Sequence, residues 1–146
     1  MKKINAVLLI DDDPISNFLT SKFIEKSGIT DTIILARDGL DALTKIVEYS
    51  PQKNLCPELI ITDIEMPVMN GVEFIESFSS LTFDNKEKVK IVVNSSTINP
   101  KHKENLRAHN IKFYLHKPLS TESLYEIAFA YQSLEVLSQL KNKMGQ

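Results

Sequence analysis

Asp11, Asp12 and Asp13 run consecutively at the end of one short apolar segment, and Asp63 stands at the end of another. If both segments are strands of one sheet, their tips bring carboxylates together. Two carboxylates about 4 Å apart repel by roughly 4 kcal/mol at an effective dielectric of about 20. A proton or a cation must relieve that repulsion. Hard oxygen ligands with no His or Cys beside them suit magnesium (or manganese), which keeps part of its water shell and binds phosphate oxygens through the same ion. The plainer use of such a run is helix capping, because Asp is a good N-cap and Pro14 suits a first turn. Asp13 is expected to serve in that way. Capping needs neither three aspartates in a row nor a fourth on a distant segment.

Two other segments end on groups that suit a phosphoryl group on Asp63. Ser95 and Ser96 follow one apolar run, and Lys117-Pro118 follows the next. A hydroxyl can bond one phosphoryl oxygen and an ammonium can neutralise another. Taken singly, a Ser pair reads as a turn and a lone Lys as a solvated charge. Their shared place at strand ends carries the weight. A flavin or nucleotide site would instead set a Gly- or Ser/Thr-rich loop after the first strand, to offer backbone N–H groups to phosphate. Three aspartates there would repel a phosphate that arrived without a cation.

The elements that must position these groups alternate. Short apolar runs cover Ala6–Ile10, Thr32–Ala36, Leu59–Thr62, Ile91–Asn94 and Ile111–Leu115. Most lack polar alternation, the pattern of strands buried on both faces of a parallel sheet. Between them lie amphipathic segments. Ser16–Ser27 carries Phe18, Leu19, Phe23 and Ile24 on one side and ends at Gly28. Gly39–Tyr49 carries Leu40, Leu43, Ile46 and Val47, and Val72–Leu81 carries Phe74, Ile75 and Phe78. A polar stretch after Pro100 is anchored by Leu106. A last helix starts at the Ser120-Thr121-Glu122 cap signal and runs through Leu124, Ile127, Ala128, Tyr131, Leu134 and Leu137. The β-α order repeats five times. It predicts an α/β fold: a five-stranded, doubly wound, flavodoxin-like parallel sheet with helices on both faces and right-handed crossovers. In such sheets the site lies at the carboxyl ends of the strands.

The chain has 146 residues, enough for one domain with a real core. A net charge of -2 offers no field to draw it onto nucleic acid or an anionic membrane. Cys56 is the single cysteine, so no internal disulfide can form. The apolar part of the N-terminus, Ala6–Ile10, is too short for an export signal or a membrane span. A cytoplasmic protein without membrane insertion or direct nucleic-acid binding is expected.

The stretches LLIDDDP at 8–14, LIITDIEMPVMNG at 59–71, VVNSS at 92–96 and YLHKPL at 114–119 resemble the receiver domains of two-component response regulators. The resemblance covers nearly the whole chain in the family's order and spacing, with the stretch Ser50–Glu58 lengthening the first interval. It implies that Asp63 is the phosphoacceptor and that a histidine kinase or histidine phosphotransfer protein is the donor. It implies that Asp11 and Asp12 position the cation, with Asp63 and the Glu65 backbone carbonyl as further ligands. Ser95, with Ser96 beside it, takes the place of the switch hydroxyl, and Lys117 that of the phosphoryl-binding lysine. Lys117–Pro118 becomes a candidate cis peptide. Tyr114 takes the place of an aromatic that turns inward on phosphorylation, which puts the output surface on the fourth helix, fifth strand and fifth helix. Met66-Pro67 and Asn70-Gly71 match the turn into the third helix, where Gly permits a left-handed residue.

The resulting expectation is a single receiver domain over residues 1–146, with a core at about 4–137 and a tail at about 138–146. It acts as a stand-alone regulator on a downstream protein target, not as an enzyme. Two alternatives stay open. One is a magnesium-dependent small-molecule phosphohydrolase that uses Asp63 as nucleophile. Against it, haloacid-dehalogenase-type enzymes carry a second Asp where this chain has Glu65, and no cap domain fits. The other is a receiver cut from a longer DNA-binding regulator.

Overall fold

The apolar runs pair into one parallel sheet. In the computed structural model, which describes residues 3–96, 99–111, 113–127 and 129, the strands are β1 (Val7–Ile10), β2 (Ile33–Ala36), β3 (Leu59–Thr62), β4 (Lys90–Ser95) and β5 (Phe113–His116). Their order across the sheet is β2-β1-β3-β4-β5, all neighbours parallel. The helices between them are α1 (Pro14–Ser27), α2 (Gly39–Tyr49), α3 (Gly71–Ser80) and α4 (Pro100–Ala108). Residues 121–127 are helical after β5, where the Ser120 hydroxyl accepts the Ser123 N–H at 3.1 Å. The expected tail and the positions Tyr131, Leu134 and Leu137 lie outside the described residues.

Side chains alternate across each strand, so one sheet builds two cores. Leu8, Ile10, Ile60 and Val93 pack with Ile46, Phe74 and Leu106 on one face. Leu9, Ile61 and Val92 pack with Ile24, Leu124 and Ile127 on the other. β1 and β3 lie in the middle and are buried along their whole length. β2 and β5 form the edges and are partly exposed. The chain leaves β1 toward β2 on one side and continues from β3 toward β4 and β5 on the other. That reversal opens a crevice at the carboxyl ends of β1 and β3.

Helix α1 does not bury the side that its apolar residues suggest. Phe18 is 56% and Leu19 52% exposed, and Phe23 is 37% exposed, while Asn17, Thr20, Ser21 and Ile24 are buried. Positions 17, 20, 21 and 24 form one helical stripe. The phase is set at the helix start, where the Asp13 side chain accepts the Ile15 N–H and Pro14 occupies the first turn. It is held by Asn17, whose Nδ2 donates to the Asp11 carbonyl at 3.0 Å and the Ala36 carbonyl at 3.2 Å. Two backbone acceptors at the tips of β1 and β2 thus outweigh the burial of two aromatic rings. Leu40 and Val47 of α2 are likewise exposed, whereas Phe74, Ile75 and Phe78 of α3 are buried as their spacing predicts.

The long connection between α2 and β3 contains Cys56, which is buried. Burial, and then the charge of Glu58, push its thiol pKa above the usual cysteine value. It is a packing residue with little thiolate character.

If the buried stripe of α1 carries its stability, Ile24→Ala should cost about 2–5 kcal/mol. Phe18→Ser, on the exposed side, should stay within about 0.5 kcal/mol of wild type. Urea denaturation of the two variants checks this.

Candidate functional site

The sheet register sets the acidic cluster. Ile10 pairs with Thr62, so the next residues, Asp11 and Asp63, emerge side by side. Each is held by the sheet: the Asp11 N–H donates to the Ala36 carbonyl at 3.0 Å, and the Asp63 N–H to the Ile10 carbonyl at 2.9 Å. Asp12 is the next residue out and is exposed, whereas Asp11 is buried and Asp63 intermediate. One carboxylate oxygen from each of the three lies within 4.8 Å of the others. Three hard anionic oxygens at that spacing, with no thiol or imidazole among them, match the donor set of a magnesium-type cation. Asp13 points elsewhere and caps α1.

Lys117 closes the cluster from the far side. Its Nζ donates to Asp11 Oδ2 at 2.5 Å and to Asp63 Oδ2 at 2.8 Å. The second oxygens are held by backbone, with Asp63 Oδ1 accepting the Ile64 N–H at 2.7 Å and Asp11 Oδ1 the Asp13 N–H at 3.0 Å. Burial alone would lower the Lys117 pKa. Hydrogen bonds and Coulomb attraction from Asp11 and Asp63 outweigh it and hold the ammonium above the usual lysine value. The stabilisation from this pairing is therefore complete below the ordinary lysine pKa. It is lost as pH rises through the raised one.

The loops around the cluster are tightly constrained. The Lys117 N–H donates to the Ser95 carbonyl at 3.2 Å, which fixes the end of β5 against β4. The Lys117–Pro118 bond is cis. Ser95 is buried at the tip of β4, and Ser96 is exposed one residue beyond. The Glu65 side chain points outward and lies 3.7 Å from His102 Nδ1 at the start of α4. Tyr114 is half-buried against the core, its hydroxyl donating to the Ile111 carbonyl at 3.1 Å and Lys103 Nζ 5.5 Å from its ring centroid. It sits apart from the acidic cluster.

The turn from β3 into α3 differs from the sequence expectation. Gly71 does not supply the left-handed residue; Val68 does, at φ 67°. A β-branched residue in that region costs about 1–2 kcal/mol. Gly71 is required for a different reason: a Cβ there would sit 2.3 Å from the Asp63 carbonyl oxygen. Its N–H donates to the Ile64 carbonyl at 2.8 Å, and Asn70 with Glu73 forms a capping box that starts α3. The helix is thereby pressed against the backbone of the acceptor strand. Asn17, His102 and Asn94 were not singled out by sequence reasoning. Asn94 alone carried a signal, as a polar residue closing an otherwise apolar strand.

Known proteins share this chain's sequence pattern and fold. A family model for the response regulator receiver domain matches residues 7–129. The crystal structure of a two-component response regulator from Cytophaga hutchinsonii is 31% identical with a TM-score of 0.79, over 90% of this chain and 99% of that one. A protein-glutamate methylesterase/protein-glutamine glutaminase of Clostridium acetobutylicum is 35% identical over 66% of this chain and 25% of its own length. A probable C4-dicarboxylate response regulator of Halalkalibacterium halodurans is 29% identical over 96% of this chain and 56% of its own length. The chain thus spans between a quarter and somewhat over half of these curated relatives.

Lys117→Met should leave two adjacent carboxylates without their cation and cost about 1–3 kcal/mol in metal-free buffer. Added magnesium should stabilise that variant more than wild type, because the ion no longer competes with an ammonium for Asp11. The difference between the two proteins without metal should narrow above the ordinary lysine pKa. Urea titrations at neutral and alkaline pH, with and without magnesium, measure all three. Gly71→Ala should cost about 1–3 kcal/mol through overpacking and weaken magnesium binding, as isothermal titration would show.

Proposed function

Since this chain belongs to the response regulator receiver domain family, we propose that Asp63 is its phosphoacceptor and that the donor is a phosphohistidine on a kinase or phosphotransfer protein. The observation that carries this reading is the convergence of Lys117 on Asp11 and Asp63, 106 and 54 residues away in sequence. An ammonium beside two carboxylates at the crevice of the sheet supports the reading of Asp63 as nucleophile.

In the transfer, an Asp63 carboxylate oxygen forms a bond to phosphorus as the phosphorus–nitrogen bond breaks. The electron pair of that bond stays on the donor imidazole. The Lys117 ammonium offsets negative charge on the phosphoryl oxygens, and the Ser95 hydroxyl at the tip of β4 bonds one of them. A divalent cation, magnesium or manganese, held by Asp11, Asp12, Asp63 and the Glu65 carbonyl would supply further charge neutralisation for the same oxygens. Asp11, fixed by the Asp13 N–H and by Lys117, orients its carboxylate for that task. The sheet and the Gly71 turn hold Asp63 so that little reorganisation accompanies reaction.

The signal is proposed to leave through the surface of α4, β5 and the helix at 121–127, with Ser95 and Tyr114 linking it to the site. The output is a downstream protein target in the cytoplasm. No helix among the described residues is long and apolar enough to cross a membrane. The methylesterase activity named above belongs to a protein of which this chain spans 25% of the length.

Acetyl phosphate with magnesium should label wild-type protein once per chain, at Asp63, with slow loss of label. Asp63→Asn should abolish labelling, and Asp12→Asn should sharply reduce its magnesium dependence. Mass-spectrometric mapping checks the site. Unchanged labelling of Asp63→Asn would refute the assignment, and rapid multiple turnover of a small phosphate ester would favour a phosphohydrolase.

A further inference from the structure

The proposed transfer leaves one buried polar group without a task. Strand β4 is apolar through Ile91, Val92 and Val93, then turns polar at Asn94, one residue before Ser95. Extending the registers Ile10↔Thr62 and Thr62↔Val93 by one residue puts Asp11, Asp63 and Asn94 in a single row across three strands. Strand alternation sends all three to the face covered by α1, because Leu9, Ile61 and Val92, two residues earlier, pack there with Ile24. Asn94 is 4% exposed. Among the described residues nothing donates a hydrogen bond to its Oδ1.

A buried carbonyl oxygen with no donor is costly, and buried polar groups are nearly always paired. An apolar residue of the same shape would suit this strand better on packing grounds alone. The side chain opens onto a small cavity of about 10 Å³ lined by Asp11, Asp63, Asn17 and Thr20 as well as Asn94. That is room for one water, and the walls carry the polar groups a water needs. The cavity lies between α1 and the row of side chains, where the polar stripe Asn17, Thr20 and Ser21 faces inward.

We propose that Asn94 is a positioning residue for Asp63, acting through one water held between its carboxamide oxygen and the Asp11–Asp63 pair. The proposal rests on the reading of Asp63 as phosphoacceptor. One hydrogen of the water satisfies Asn94 Oδ1, and the other goes to a carboxylate oxygen of the pair. The Ile64 N–H and Lys117 restrain the Asp63 carboxylate from the loop and from β5. The water restrains the side that faces α1. The nucleophile is then held on every flank except the open one, toward the donor.

The test uses the full chain with Asn94→Leu, which keeps the shape and removes the acceptor, and Asn94→Thr, which keeps a hydroxyl acceptor. Three quantities are measured: melting temperature, magnesium affinity, and the rate of Asp63 labelling by acetyl phosphate at saturating magnesium. Asn94→Leu should melt no lower than wild type, bind magnesium within about twofold, and label about tenfold more slowly, the low end of outer-shell effects. Asn94→Thr should recover most of the rate. A crystal structure of the wild type should show a water at Asn94 Oδ1. Asn94→Leu labelling at the wild-type rate, a rate that falls only in step with melting temperature, or a crystal structure with no water at that oxygen would each overturn the proposal. Wild-type protein that takes no label at Asp63 would overturn the parent reading, and this one with it. The wild-type rate therefore judges the acceptor, and the variant-to-wild-type ratio judges Asn94.

Discussion

Two carboxylates held side by side at the ends of adjacent parallel strands repel each other, and much of this chain is arranged around that repulsion. The register of β1 on β3 leaves Asp11 and Asp63 no freedom to separate, because the backbone of each is bonded into the sheet. Lys117 relieves the strain by donating to both at once. One ammonium among three carboxylates leaves the arrangement anionic and unsealed, since Asp12 remains exposed beside it. A cluster that stays anionic overall and faces solvent on one side is suited to taking up a cation and then an anionic group.

The same constraint explains features that look like packing defects. Helix α1 turns polar side chains inward and leaves Phe18 and Leu19 in solvent. The reason lies at the strand tips, where Asn17 donates to the Asp11 carbonyl and gives the Ala36 carbonyl, already bonded to the Asp11 N–H, a second donor. An unpaired buried carbonyl costs more than the incomplete burial of a surface aromatic. The turn after Asp63 likewise accepts a left-handed Val68 and demands a glycine at 71. Both bring α3 against the backbone that carries Asp63. Strain of this kind concentrates where a site must be held in one geometry.

Much of the architecture was legible because burial on both faces leaves an unambiguous mark. The run at β1 is apolar throughout and that at β3 is apolar up to Thr62, so their nature as strands buried on both faces follows from composition. Helices α2 and α3 begin at Gly39 and Gly71, within one residue of the starts that apolar spacing predicts. The facing of α1 was not legible, because hydrophobic periodicity weighs side chains alone. It cannot register that backbone acceptors on two other strands will claim the helix's polar side. Gly71 was recognised as special, but its reason was misread. A positive φ is a local property, whereas a close approach to the Asp63 carbonyl exists only once α3 has docked.

By itself, the sequence determined which chemistry was available: a run of aspartates at one strand end, a fourth at another, and a serine and a lysine further on. Side-chain type and strand order settle that, since a parallel α/β sheet must collect the carboxyl ends of its strands along one edge. Tertiary structure alone decided how those groups share their charge. It made Asp11 buried, Asp12 exposed and Asp13 a helix cap, although the three are indistinguishable neighbours in the chain. It brought Lys117 to Asp11 and Asp63 instead of leaving it in solvent, and it set Asn94 in the same row. The physical reason is that Coulomb energy and desolvation depend on distance and burial in three dimensions, and neither is a property of a residue's place in the sequence.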